Sequence, residues 1–418
     1  LGSTLLWASP LAVFALSAFV YGGDATPTSL ALSTLLLGIG AIAVLFAPRS
    51  PSPAALIAAA YFAALLGIAR LNGWLAAGAP EYASLAACGA VLFTASNAAR
   101  SPQQARRLWT LTLLAGGLLS AIAFVDFISD PATNFGRPRP YAFGRLSAPF
   151  LSANTAATFF GVITLMALGE VTRAIRRAQS ADLREWIDLL SRELLLPLLI
   201  LLVSLSNVVL TASRAGVTAV AAASLVLLVW EAIANRSRHG LALRSLAMAL
   251  AMALLIPAGV YLLSGQELLE RFQETGSDQS RWMLLESYWA AVWLEPIFGH
   301  GLGGFEYVNT LAGDAVTNDQ LQDQGAAHNL YLQWLLQTGF AGFIGAALIC
   351  AYGIVRLLAG LGASKRNRSR IRAVLSILLL VGLHGMVDYA MEIPLFAWTI
   401  AWLFGLGMGM SRDREVRA

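Results

Sequence analysis

The chain is built from continuous apolar runs of about twenty residues separated by short polar stretches, and that pattern leaves few folds open. A run of this length crosses the roughly 30 Å hydrocarbon layer of a bilayer as a single helix. Within hydrocarbon every backbone N–H and C=O must find a partner in the protein, so only helices and closed barrels cross. Barrel strands alternate apolar and polar residues over about ten positions, and these runs do not alternate. The expected fold class is an all-α polytopic membrane protein. The runs predict twelve helices, at about 3–21, 29–47, 53–69, 81–98, 108–125, 149–169, 194–212, 215–234, 245–264, 328–355, 373–391 and 393–410. Charge supports this: 12% of residues are charged, against about 25% in a soluble domain. Together these features exclude a nucleic-acid-binding domain, a secreted disulfide scaffold and a disordered chain. Cys88 and Cys350 both lie inside apolar runs, which argues against a disulfide, a thiolate metal site or a redox pair.

Basic residues give the orientation. With the tail that carries Arg412, Arg414 and Arg417 placed in the cytoplasm, the loops on that side hold 21 of the 28 Lys and Arg. A bias of this kind, repeated loop by loop, is the positive-inside pattern and places both termini inside. The net charge of +4 and the pI near 9.3 therefore report orientation, not a polyanion-binding surface. Seven basic residues fall on the other side, all of them arginine: Arg70, Arg137, Arg139, Arg145, Arg214, Arg271 and Arg281.

Two outer loops are too long to be plain turns: 126–148, rich in Arg, Pro and aromatic residues, and 265–327. Long loops in a compact helical bundle usually carry function. A third outer feature is the pair Asp388 and Glu392 near a membrane boundary. The chain divides into 1–264 (helices one to nine, with loop 126–148), 265–327 (the large outer loop) and 328–418 (the last three helices and a cytoplasmic tail). Function is expected on the outer face, the periplasm in a Gram-negative cell.

The candidate residues cluster there. Arg214, in TASRAG, sits between two apolar runs, where a charge is costly and by default functional. A guanidinium keeps its charge and grips phosphate oxygens as a fork. Arg145, in GRLSAPFLSAN, precedes Pro149, which suits the first turn of a helix, and Asn154 follows inside the membrane edge. In the large loop Arg281 opens a segment in which Trp282, Leu285, Trp289, Val292 and Trp293 share a helical face. That is the pattern of an interfacial amphipathic helix anchored by tryptophan. The glycines that follow, Gly299, Gly301, Gly303 and Gly304, lack the context of a nucleotide-binding loop. His328 stands at the outer mouth of a membrane helix, where the helix dipole disfavours imidazolium and leaves the ring able to take a proton. Asp388 is placed to orient or charge-balance such a site. His384 reads as a packed mid-span residue, and no pair of His or Cys has metal-ligand spacing.

These parts suggest one chemistry. Arginines hold a lipid-linked diphosphate as it leaves, and a neutral histidine takes the proton of an incoming hydroxyl. Direct displacement of this kind inverts the sugar carbon.

The same residues carry a family resemblance. The ordered set of GRLSAPFLSAN, TASRAG, the run from Arg281 through LEPIFGHGLGGF and HNLYLQWLLQTGFAGFIG from His328 resembles the O-antigen ligases of the O-antigen ligase/polymerase superfamily. The resemblance implies a membrane glycosyltransferase of GT-C-like fold with no required metal, nucleotide or other cofactor. Its implied partners are the bilayer, an undecaprenyl-diphosphate-linked glycan donor and a lipid A–core oligosaccharide acceptor, with transfer at the periplasmic face of the inner membrane. It implies His328 as the essential loop histidine and Arg214 and Arg281 as the key arginines. Arg145 and Asp388 correspond less closely, and Arg139 is a further candidate for holding the diphosphate. The stretch before Asn154 departs from the tighter FxNPN form common in the superfamily. An O-antigen polymerase or a protein O-oligosaccharyltransferase would use the same chemistry, and a lipid-linked sugar transporter would need the arginines but no base.

Overall fold

The computed structural model describes residues 2–46, 53–99, 101–139, 144–177, 190–234, 276–313, 324–363 and 366–412. Thirteen helices occur among them: α1 (Gly2–Ala18), α2 (Thr26–Leu45), α3 (Pro53–Leu71), α4 (Ala79–Ala98), α5 (Pro102–Ser129), α6 (Ala153–Arg177), α7 (Leu195–Leu210), α8 (Arg214–Ala234), α9 (Gly276–Val292), α10 (Phe305–Ala312), α11 (Leu330–Ala363), α12 (Arg368–His384) and α13 (Pro394–Met410). Six segments among the described residues are long and apolar enough to cross a membrane, within or around α2, α5, α6, α7, α8 and α11. The protein is an all-α, multi-pass membrane protein. The span expected at 245–264 lies outside the described residues.

Several boundaries move, for local reasons. α5 begins at Pro102 instead of 108, because the Ser101 hydroxyl accepts from the Gln104 N–H (3.1 Å) and a proline follows the cap. α6 begins at Ala153, so Pro149 lies in the preceding turn and not in the first turn of the helix. α12 begins at Arg368 instead of 373, because its arginines are paired inside the bundle. It ends at His384, where Gly385 follows, and so Asp388 sits in a connector.

The helices form two compact units. One comprises 1–97, 273–356 and 385–405; the other comprises 98–272, 357–384 and 406–418. In the second, α6 is central and its membrane-spanning window is buried throughout. Small residues let neighbours approach it: a Cβ at Gly161 would lie 2.4 Å from Val220 and 2.9 Å from Leu380, and one at Gly169 would lie 3.1 Å from Ala373. Near the C-terminal end of α6, Glu170 pairs with Arg173 (2.6 Å) and Arg370 (2.7 Å). Glu231 pairs with Arg372 (2.9 Å) and Arg176 (3.4 Å). These arginines are helical and paired, not loop charges as their loop assignment in the sequence suggested.

The first unit is organised around α4, α11 and α13. Phe14 of α1 packs on Trp398 and Trp402 of α13. The Tyr61 hydroxyl of α3 donates to the Gly342 carbonyl of α11 (2.8 Å). α11 is broken at Gly339 (φ 61°, ψ −173°). The break frees the groups that an unbroken helix would pair, the N–H of 340 with the C=O of 336 and that of 341 with 337. The loop 296–301, between α9 and α10, takes all four. Phe340 and Ala341 donate to the carbonyls of Pro296 (2.8 Å) and Ile297 (3.1 Å), while Leu336 and Gln337 accept from His300 (2.8 Å) and Gly301 (3.0 Å).

Candidate functional site

Arg145, Arg139, Asn154 and Arg214 belong to the second unit; His328, Arg281 and Asp388 belong to the first.

In the second unit the turn 211–213 joins α7 to α8. Ser213 caps α8 by accepting from the Gly216 N–H (3.1 Å), which makes Arg214 its first residue. Arg145 is tied to this turn: its Nε donates to the Thr211 carbonyl (2.8 Å) and one terminal nitrogen donates to Asn154 Oδ1 (3.1 Å). The adjacent Leu146 N–H donates to the Leu210 carbonyl (2.9 Å). The fold thus brings Arg145 and Asn154 together beside the start of α8. α6 and α8 meet at their first turns, where a Cβ on Gly216 would lie 2.5 Å from that of Ala157. Two positive helix ends therefore stand side by side, with the half-buried Arg145 and Arg214 among them. A cation at a helix start works against the dipole by about 0.3–1 kcal/mol. An anion there is favoured by both dipoles and both guanidinium groups.

Arg139 is used differently. It is buried, its terminal nitrogens donate to the carbonyls of Thr133 (2.7 Å) and Arg145, and it lies over the Phe127 ring. It braces a two-stranded hairpin, β1 (Thr133–Asn134) with β2 (Arg137–Pro138), whose Asn134 side chain donates to the Phe150 carbonyl (2.9 Å). His384 is buried and bonded to Thr158 (2.6 Å), as a packed histidine should be, but at the end of α12 and not in mid-span.

In the first unit His328 has positive φ (51°) and is half-buried, with its ring edge-on to Tyr389 at 4.8 Å. Asn329 caps α11: its Oδ1 accepts from the N–H groups of Tyr331 and Leu332, both at 3.0 Å. Its amide donates to the Met386 carbonyl (2.9 Å), and the Leu330 N–H donates to Gly385 (2.7 Å). The Ala327 N–H donates to the Gln333 side chain (2.7 Å). His328 is thus fixed on both sides in the chain. Asp388 is fully buried in the connector next to Tyr389.

Glu392, one turn on, accepts from Gln337 (3.1 Å). Burial pushes its carboxyl up to about 7, the Gln337 hydrogen bond opposes this, and the charge of Glu81 adds to it. His300 is buried and its ring bonds the Ala291 carbonyl (3.1 Å).

Arg281 is the sixth residue of α9, not its first; its side chain lies outside the described residues. On α9 the tryptophan face divides: Trp289 and Trp293 are exposed, whereas Val292 turns inward and packs with Tyr288, Ala291, Leu332, Leu335 and Leu336. Val292 follows Tyr288 by four residues, so helical geometry places it on the inner face. Among the described residues no three His, Cys, Asp or Glu side chains are grouped to hold a metal ion.

Asn329 was legible as a cap, being an Asn immediately before an apolar helix. Ser213, immediately before α8, carries the same signal; Tyr389 and Thr211 do not.

Residues 199–347 match the family model described as O-Antigen ligase. That stretch is similar to the O-antigen ligases. That segment covers about a third of the chain and contains Arg214, Arg281 and His328, along with the caps Ser213 and Asn329 and the broken helix. Arg139, Arg145, Asn154 and Asp388 lie outside it. No curated protein matches the chain.

Proposed function

We propose that the protein is an inverting glycosyltransferase of the O-antigen ligase type. It moves a glycan from undecaprenyl diphosphate to a hydroxyl of lipid A–core oligosaccharide at the periplasmic face of the inner membrane. The observation that carries this reading is that the stretch similar to the O-antigen ligases encloses Arg214, Arg281 and His328. Their residue types are those the chemistry needs.

His328 takes the proton of the acceptor hydroxyl. The oxygen attacks the anomeric carbon, a new glycosidic bond forms, and the bond to the diphosphate breaks on the opposite face. The lipid diphosphate leaves as an anion held by Arg214, Arg281 and Arg145. Two features support these roles: the paired helix starts beside Arg145 and Arg214, and the cap that fixes the chain on either side of His328. Asn154 orients Arg145, and Arg139 holds the Arg145 backbone. Asp388 supports the His328 side of the site from the connector.

The test is transfer by purified protein from a lipid-diphosphate glycan to lipid A–core, comparing wild type with His328→Ala and Arg214→Ala. Product with wild type and loss in both variants is the expected result. A folded wild type that only lengthens the donor glycan is a polymerase, and one that modifies a protein hydroxyl is a protein transferase. Donor binding without any covalent product overturns the enzymatic reading.

A further inference from the structure

The break in α11 separates a short first segment, 330–338, from the long apolar remainder, and His328 stands just before that first segment. Nine residues are too few to hold a helix in place by their own hydrogen bonds. The direction of this segment is set by what holds its two ends together with the packing of Leu332, Leu335 and Leu336 on α9. One end is the Asn329 cap, tied to 385–386. The other is the backbone splice, where 296–301 exchanges four hydrogen bonds with 336–341.

The first half of the splice offers little burial, since Ile297 is 61% and Phe298 44% exposed, whereas 299–301 are buried. What the splice supplies is geometry, and two glycines make it possible. Gly339 has positive φ with extended ψ, a conformation essentially restricted to glycine, and a Cβ there would lie 2.3 Å from the Ile297 carbonyl oxygen. Gly299 also has positive φ (69°), and its Cβ would lie 2.6 Å from both the Gly339 nitrogen and the Leu336 oxygen. In both cases the obstacle is backbone, which cannot rotate aside.

We propose that Gly299 and Gly339 are positioning residues for His328. The backbone splice they permit sets the angle of the 330–338 segment, and with it the place of the base. This rests on the reading of His328 as general base. The segment is a lever of about 13 Å at 1.5 Å per residue. A change of about 5° in its angle displaces one end against the other by about 1 Å, working against the ties at 385–386, and a misplacement of that size can cost about 100-fold in rate.

The test measures kcat and donor KM of the full-length protein, with folding followed by thermal profile and size-exclusion behaviour. Gly339→Ala and Gly299→Ala are expected to lower kcat about 100-fold with donor KM unchanged. Gly67→Ala, on α3 with nothing within 4 Å of the added methyl, is expected to behave as wild type. The double variant His328→Ala/Gly339→Ala is expected to be no slower than His328→Ala, because the glycine acts through the histidine.

Gly301→Ala is also strained, at φ 88°, but its methyl meets the Trp74 side chain and not backbone, so it is the variant to use should the other two fail to fold. It is expected to lower kcat with KM held. Wild-type kcat in a folded splice variant, or a loss that multiplies with that of His328→Ala, overturns the proposal while leaving the base reading intact. Transfer by His328→Ala at the wild-type rate overturns both.

Discussion

Glu392→Gln should remove the pH dependence of stability that this one carboxyl contributes. The Glu392 carboxyl lies against Gln337, with Glu81 of α4 adding a like charge nearby, and its pKa is raised from 4.5 to about 7. Below about pH 4.5 the group is protonated in the folded and unfolded chain alike, and stability is at its full value. As pH rises towards 7 the unfolded chain ionises while the folded one still holds its proton, so stability falls. Above about 7 the loss is complete. At 1.36 kcal/mol per pH unit, the rise from 4.5 to about 7 corresponds to about 3 kcal/mol. Glutamine keeps the shape and the acceptor for Gln337 but cannot ionise. The assay is reversible SDS unfolding in mixed micelles, followed by tryptophan fluorescence, at pH 5 and pH 8. The variant should exceed wild type by about 3 kcal/mol at pH 8 and match it near pH 4.5. Parallel stability curves for the two proteins across this range would refute the reasoning, as would a wild type that gains stability on the variant as pH rises.

Other perturbations have equally definite outcomes. Glu170→Ala leaves Arg173 and Arg370 buried without their shared acid and should cost about 3–5 kcal/mol in the same unfolding assay. Ser213→Ala removes the α8 cap and should cost about 1 kcal/mol, with a measurable loss of transfer because Arg214 is the next residue. Arg145→Lys cannot reach Thr211 and Asn154 together, so donor KM should rise even though the charge is kept. Asn154→Ala should show the same rise to a smaller extent.

Much of this architecture was legible before any coordinates. Apolar runs of spanning length located the helices at 394–410 and 214–234 to within a residue or two, because in a bilayer hydropathy and secondary structure are the same constraint. Hydropathy fails where charge is buried in pairs. Arg370 and Arg372 read as loop residues because their partners, Glu170 and Glu231, are distant in sequence and nothing local announces them. The break at Gly339 was equally hidden. An isolated glycine in an apolar run is ordinary, and only the loop that replaces the lost hydrogen bonds makes it a break. The site followed the same division. Residue type singled out His328 and Arg214, but the link between Arg145 and the turn before Arg214 is a long-range hydrogen bond that no spacing rule contains.

The ion pairs of the second unit also bear on how the chain is made. Glu170 emerges from the ribosome 200 residues before Arg370, its partner on α12. Until then, among the described residues, the acid pairs with Arg173, one turn away on its own helix. A nascent or truncated chain that lacks α12 leaves Glu170 without Arg370 and Glu231 without Arg372, and it exposes the face of α6 that α12 would cover. Completion of the bundle is therefore chemically distinguishable from every earlier stage of synthesis. A chain stopped before 368 differs from the finished one in charge pairing as well as in packing: Glu170 keeps Arg173 and Glu231 keeps Arg176, but each lacks the guanidinium that α12 brings.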